Sequence, residues 1–188
     1  MEKTTERKGN ATAGLNLQLG RKVTYPRNYC PAVLRFIPRQ ISRSANGISK
    51  DLPFTGFDYW TAWEFSYLDS HGKPSVRILK LAVPAESENI VESKSLKLYF
   101  NSFNYERFGS DRVIGEAIEK DLSAGFKCRF NLEILPLSGC SDDQPGVPMD
   151  KFKCIDNIEV DSPSFKFSSG TLSADQNICT EEYLYSDL

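Results

Sequence analysis

Four consecutive side chains, Glu92, Ser93, Lys94 and Ser95, set a carboxylate, two hydroxyls and an ammonium together within a chain of 188 residues. They stand at the head of a segment, 91–104, in which Leu96, Tyr99, Phe100 and Phe103 recur at helical spacing. The first turn of a helix carries unpaired backbone N–H groups and partial positive charge, so Glu92, Ser93 and Ser95 either cap the helix or hold a ligand there. On the motif alone both uses stay open, and capping is the commoner one.

The other reactive residue types exclude more than they suggest. Five cysteines, Cys30, Cys128, Cys140, Cys154 and Cys179, are odd in number, irregularly spaced and without a Cys-x-x-Cys pair. Neither a disulfide framework nor a zinc site is indicated, and reduced thiols are the default. His71 is the single histidine and lies beside Gly72 in a turn sequence. A histidine-based metal centre or a Ser-His-Asp triad is therefore very hard to assemble from this chain. No apolar run approaches the roughly 20 residues that span a bilayer, and Met1 to Asn10 is charged where a signal peptide has its apolar core. A cytoplasmic protein without membrane contact is expected. The net charge of −2 hides a lopsided distribution. Residues 21–50 hold seven cations (Arg21, Lys22, Arg27, Arg35, Arg39, Arg43 and Lys50) and no acid, whereas 137–188 hold ten acids against three lysines. Without interleaved stacking residues the basic run reads as a solvated face or one that packs on an acidic surface, not as a nucleic-acid interface.

The elements that must position the motif follow from periodicity. Residues 1–20 read as a flexible leader without assigned structure, and 21–57 as an extended basic arm broken by prolines and glycine. Asp58 to Leu68 is the first clear strand, with Tyr59, Trp63, Phe65 and Tyr67 expected on one face. A turn at Asp69 to Pro74 leads into a partner strand, Val76 to Val83. The Glu92 helix comes next. A second helix follows from an N-cap at Ser110, with Val113, Ile114, Ala117, Ile118 and Leu122 on one side. Phe126, Cys128, Phe130, Leu132 and Ile134 then alternate with polar residues as a half-buried antiparallel strand. Weaker strands are expected at Cys154 to Val160 and Ser164 to Phe167, closing a module over 58–168, with a polar tail over 169–188. The order strand-strand-helix-helix-strand-strand predicts an α+β fold, an antiparallel sheet with two helices on one face. Such a layer leaves a sheet face or edges to be covered, so self-association is expected.

That order is the plan of the tunnelling fold, and four stretches narrow it. Phe36-Ile37-Pro38-Arg39, the run Leu52 to Trp60 (Leu-Pro-Phe-Thr-Gly-Phe-Asp-Tyr-Trp), Glu92-Ser93-Lys94-Ser95-Leu96-Lys97-Leu98-Tyr99 and Asn101-Ser102-Phe103-Asn104 resemble the N-terminal half of the long, two-module NADPH-dependent 7-cyano-7-deazaguanine reductases. The resemblance runs in order over residues 15 to 188. It implies reduction of a nitrile to a primary amine by two NADPH, giving the 7-aminomethyl-7-deazaguanine used for the tRNA base queuosine. In that chemistry a cysteine thiolate adds to the nitrile carbon, hydride attacks the resulting thioimide, and a carboxylic acid supplies a proton. The resemblance further implies that Val91, Glu92 and Ser93 bind the deazaguanine and that Ser93 and Lys94 contact NADPH, Lys94 as a point charge for phosphate.

The family's nucleophile stands in a Cys followed by a Gln-Pro-Asp run, and these 188 residues contain no Gln-Pro-Asp. Gln144-Pro145-Gly146 is only an echo, and Thr180 to Ser186 resembles the linker ahead of that cysteine. The nucleophile is thus expected a few residues beyond Leu188, in a second module or a partner chain, and no catalytic or metal-binding residue is assigned here. The five cysteines read as structural or incidental thiols. The other reading is a non-catalytic module that binds the deazaguanine or a nucleotide.

Overall fold

In the computed structural model, which describes residues 15–20 and 22–139, the chain runs β1 (Phe36–Pro38), α1 (Arg39–Ala45), β2 (Phe57–Leu68), β3 (Pro74–Pro84), β4 (Asn89–Val91), α2 (Ser93–Asn101), α3 (Asp111–Phe126) and β5 (Asn131–Pro136). The long strands pair antiparallel in the order β2-β3-β5, and β1 and β4 make a separate two-stranded antiparallel sheet. The architecture is α+β, with α2 and α3 on one face of the larger sheet.

The hairpin between β2 and β3 forms because its turn satisfies itself. The Asp69 carboxylate accepts the N–H groups of His71 and Lys73, while Gly72 takes the left-handed φ of +84° that side-chain-bearing residues avoid. His71 is exposed in this turn. On the covered face Leu79, Leu81 and Val83 of β3 meet Leu96, Tyr99 and Phe103 of the α2 segment and Ile114, Ile118, Leu122 and Phe126 of α3, all essentially removed from water. Each fully buried side chain of this kind contributes roughly 1.5–3 kcal/mol of transfer free energy, which is what holds the helices to the sheet.

Strand β2 departs from simple alternation. Ala62 pairs with Leu79 but Phe65 pairs with Arg77, so β2 carries one residue more than β3 across that interval. This bulge inverts the phase of the strand. Phe65 and Tyr67 face the core beyond it, but before it the core side belongs to Trp60 and Ala62. Tyr59 and Trp63, expected beside Phe65 and Tyr67, are instead 55% and 47% exposed, with Phe57 in the same exposed row. A second difference lies at the end of α3. Phe126 is its last residue, Lys127 turns the chain with a left-handed φ of +57°, and the strand starts only at Asn131. Phe126 fits both patterns, being four residues past Leu122 and two before Cys128. The helical ladder wins, while Cys128 and Phe130 still pack against the core.

The basic arm also holds more structure than its prolines suggest. β1 and α1 both lie in it, and three of its cations bond within the fold. Arg39 pairs with Asp58 and donates to Ser87 Oγ, Arg43 donates to the Ala85 carbonyl at 2.6 Å, and Arg35 donates to the Ala32 and Leu34 carbonyls. The arm lies close against α3 because Gly125 has no side chain: a Cβ there would come within 1.9 Å of the Phe36 ring. The strands expected at Cys154 to Val160 and Ser164 to Phe167 lie outside the described residues, as do the tail 169–188 and Cys140, Cys154 and Cys179.

Candidate ligand-binding site

β1 and β4 exist to present one short stretch. Their register sets Phe36 opposite Val91 and Ile37 opposite Ile90, and one step further the Glu92 N–H donates to the Arg35 carbonyl at 2.9 Å. Ser95, completely buried, closes the clamp from the helix side. Its Oγ accepts the Arg35 N–H at 3.0 Å and donates to the Glu92 carbonyl at 2.8 Å. Leu96 N–H reaches the same carbonyl, so the backbone of Glu92 is held on both sides where α2 begins.

The side chains at this mouth go separate ways. Val91 is 2% exposed and belongs to the hydrophobic core, so its side chain supports the site from beneath and its main chain alone is left for contact. Ser93 is exposed, Lys94 half-buried and Lys97 exposed. Glu92 is only 6% exposed, yet although it stands at the N-cap it makes no side-chain bond to its own helix. Its oxygens accept two backbone N–H groups from a distant part of the chain, Gln18 on Oε2 at 2.9 Å and Leu19 on Oε1 at 2.5 Å. A buried carboxylate left without donors would cost several kcal/mol, so this pairing is what permits the burial.

Chemically the mouth of α2 offers a rigidly mounted, largely desolvated carboxylate that takes a pair of N–H donors. Beside it lie a hydroxyl and an ammonium in the first turn of a nine-residue helix, a donor set suited to an anion. Sequence reasoning singled out Glu92, Ser93 and Lys94 and did not single out Gln18 and Leu19, whose N–H groups meet Glu92. The one signal was the Leu15, Leu17, Leu19 alternation ahead of Gly20, inside a stretch read as leader.

The other candidate groups lie elsewhere. Cys30 and Cys128 are free, partly buried thiols. Burial pushes the Cys128 thiol up, against a smaller opposing pull from Arg39, which disfavours the thiolate a nucleophile needs. Among the described residues no group of three or more His, Cys, Asp or Glu is placed to hold a metal ion, and no helix is long and apolar enough to cross a membrane.

Fold and site together define a tunnelling-fold-type α+β protein with a buried acceptor carboxylate at a helix mouth. The family model described as nitrile reductase, 7-cyano-7-deazaguanine-reductase N-term matches residues 25–134, and the chain belongs to that family. It is 39% identical over 171 residues to the NADPH-dependent 7-cyano-7-deazaguanine reductase of Azoarcus sp. (strain BH72), covering 90% of this chain and 60% of the relative. To the protein of the same description from Desulfotalea psychrophila (strain LSv54 / DSM 12343) it is 38% identical over 181 residues, covering 95% of this chain and 64% of that one. The chain thus spans less than two thirds of the length of these relatives.

Proposed function

We infer that this chain is the N-terminal module of a long-form NADPH-dependent 7-cyano-7-deazaguanine reductase in the queuosine pathway, and that it supplies the ring-binding half of the site. The observation that carries this reading is Glu92: a carboxylate 6% exposed, fixed through its backbone, and built to accept two adjacent N–H donors in place of capping its helix. The donor edge of a deazaguanine is such a partner. Val91 contributes main chain and Ser93 its hydroxyl to the same ring. Ser93 and Lys94, exposed and half-buried in the first turn of α2, suit the phosphates of NADPH, whose part in the reaction is to deliver hydride. The matched length of the relatives supports a second module, which would bring the cysteine nucleophile and the proton-donating aspartate, either further along the same polypeptide or on a partner chain. The exposed row Phe57, Tyr59 and Trp63 supports association with another copy or with that module.

Calorimetric titration with 7-cyano-7-deazaguanine tests the reading. The chain is expected to bind it, and Glu92→Gln, which replaces one acceptor oxygen by a donor, is expected to weaken binding by roughly 2–4 kcal/mol, about 30-fold or more. Equal affinity of the two proteins would end the assignment. The 188 residues alone are expected not to oxidise NADPH with this nitrile, since they hold no Cys with a following Gln-Pro-Asp. The second reading is a module that binds the deazaguanine or a nucleotide without chemistry. Activity regained on adding a chain that carries the cysteine module decides for the reductase.

A further inference from the structure

The stretch 15–20 lies over the site with its far side in solvent. Leu19 is 71% exposed, and among the described residues nothing lies within 4 Å of where a Cβ on Gly20, whose φ is +76°, would stand. Its inner side is the pair of N–H groups on Glu92. Gln18 and Leu19 are neighbours in sequence, and each takes a different oxygen of the same carboxylate. This is the pairing a ring with two adjacent N–H groups would make, so segment and ring ask for the same two acceptors.

We propose that residues 15–20 form a self-docking strap that occupies Glu92 in the free protein and is displaced when a ring with two adjacent N–H donors binds. The proposal rests on the reading of Glu92 as the ring-binding carboxylate. Its physical basis is that a buried carboxylate must be satisfied at all times. The strap meets that need without ligand, and the ring meets it afterwards. Each exchange replaces two N–H donors by two others, so the carboxylate is never left bare. Ligand affinity is then lowered by the fraction of molecules whose strap is docked, and the strap discriminates as well. An apolar ring, or one that presents acceptors to Glu92, gains nothing to offset strap release.

The test compares the full chain with the double variant Gln18→Pro/Leu19→Pro, which removes both N–H donors without touching Glu92. With 7-cyano-7-deazaguanine as titrant, the variant is expected to bind about tenfold more tightly or better, because no strap has to leave. In the unaltered chain, amide exchange at Gln18 and Leu19 is expected to quicken at least about tenfold on saturation with ligand, a measurement independent of how well the variant folds. Equal or weaker binding by the double variant, with Glu92→Gln still losing affinity, overturns the strap and leaves the carboxylate's role standing. Slower amide exchange on saturation does the same, since it means the segment closes over the ring. Binding by neither the chain nor the double variant overturns the role of Glu92, and the competition falls with it.

Discussion

Helices α2 and α3 begin in opposite ways. At α3 the N-cap residue serves its own helix: Ser110 is extended, and its Oγ accepts the Val113 N–H at 3.4 Å. At α2 the N-cap residue is also extended, but the Glu92 carboxylate leaves its helix and takes donors more than seventy positions away in sequence. Entry into α2 is fixed by other means, the Arg35 carbonyl on the Glu92 N–H and the Ser95 hydroxyl between Arg35 and Glu92. A neighbouring strand has taken over the work of the cap, and the acidic side chain is thereby released for an outside partner. Asp111 at the start of α3 gives the complementary case. It is fully used inside the fold, accepting from the Tyr67 hydroxyl at 2.6 Å and pairing with Arg77 at 2.9 Å.

The contrast is most sharply broken at Ser95. Ser95→Ala removes the acceptor of the Arg35 N–H and the second donor to the Glu92 carbonyl in a fully buried place, where an unsatisfied group costs about 1–3 kcal/mol. Chemical denaturation is expected to show a loss of about 2–3 kcal/mol, and deazaguanine binding to weaken with it. Loss of stability with unchanged binding would mean that Glu92 keeps its place without the clamp. Ser110→Ala is the control and the smaller effect. It is expected to cost about 1 kcal/mol, the usual worth of an N-cap hydroxyl, with ligand affinity untouched. If Ser110→Ala weakened binding as much as Ser95→Ala, the two helix starts would not differ in function.

Why some of this was legible in the residues and some not has physical reasons. α2, α3 and the β2–β3 hairpin are long enough for several periods, and Ser110 and Asp69 mark their boundaries with side chains that bond the nearby backbone. β1 and β4 are three residues each, too short for any alternation, and their pairing is between segments about fifty positions apart. The bulge between Ala62 and Phe65 is hidden for a different reason: Tyr59, Trp63, Phe65 and Tyr67 all fall on odd positions as if on one face, and the partner strand's register reveals the extra residue. The site divides the same way. The acidic, hydroxyl and basic groups at 92–95 are contiguous and carry a family resemblance, whereas the donors that meet Glu92 are main-chain N–H groups, which every residue but proline has.

A third prediction reaches the contrast from further off, through the arm that delivers Arg35. Tyr29 anchors that arm. Its hydroxyl and that of Tyr99 both donate to Asp121 on α3, and its N–H donates to Glu106 at 3.0 Å. Burial first, and then the hydrogen bond to Asp121, push the Tyr29 phenol up to about 12 from its usual 10.0. The fully buried Tyr99 is raised as well, chiefly by burial and then by the same carboxylate. A phenol whose folded value lies above its unfolded one contributes stability that is complete below pH 10 and is lost as pH rises through about 12, because the unfolded chain gives up the proton first. Melting temperature is therefore expected to fall across that window, and to fall less steeply in Tyr29→Phe, which has one proton fewer to lose. Six residues after Tyr29 the same arm carries Arg35, whose main chain clamps the start of α2. Neither serine titrates, so Ser95→Ala and Ser110→Ala are each expected to lower the melting temperature by their own amounts while leaving the alkaline slope as it is. Identical slopes in the unaltered chain and Tyr29→Phe would show that burial and Asp121 do not hold the Tyr29 phenol above its unfolded value.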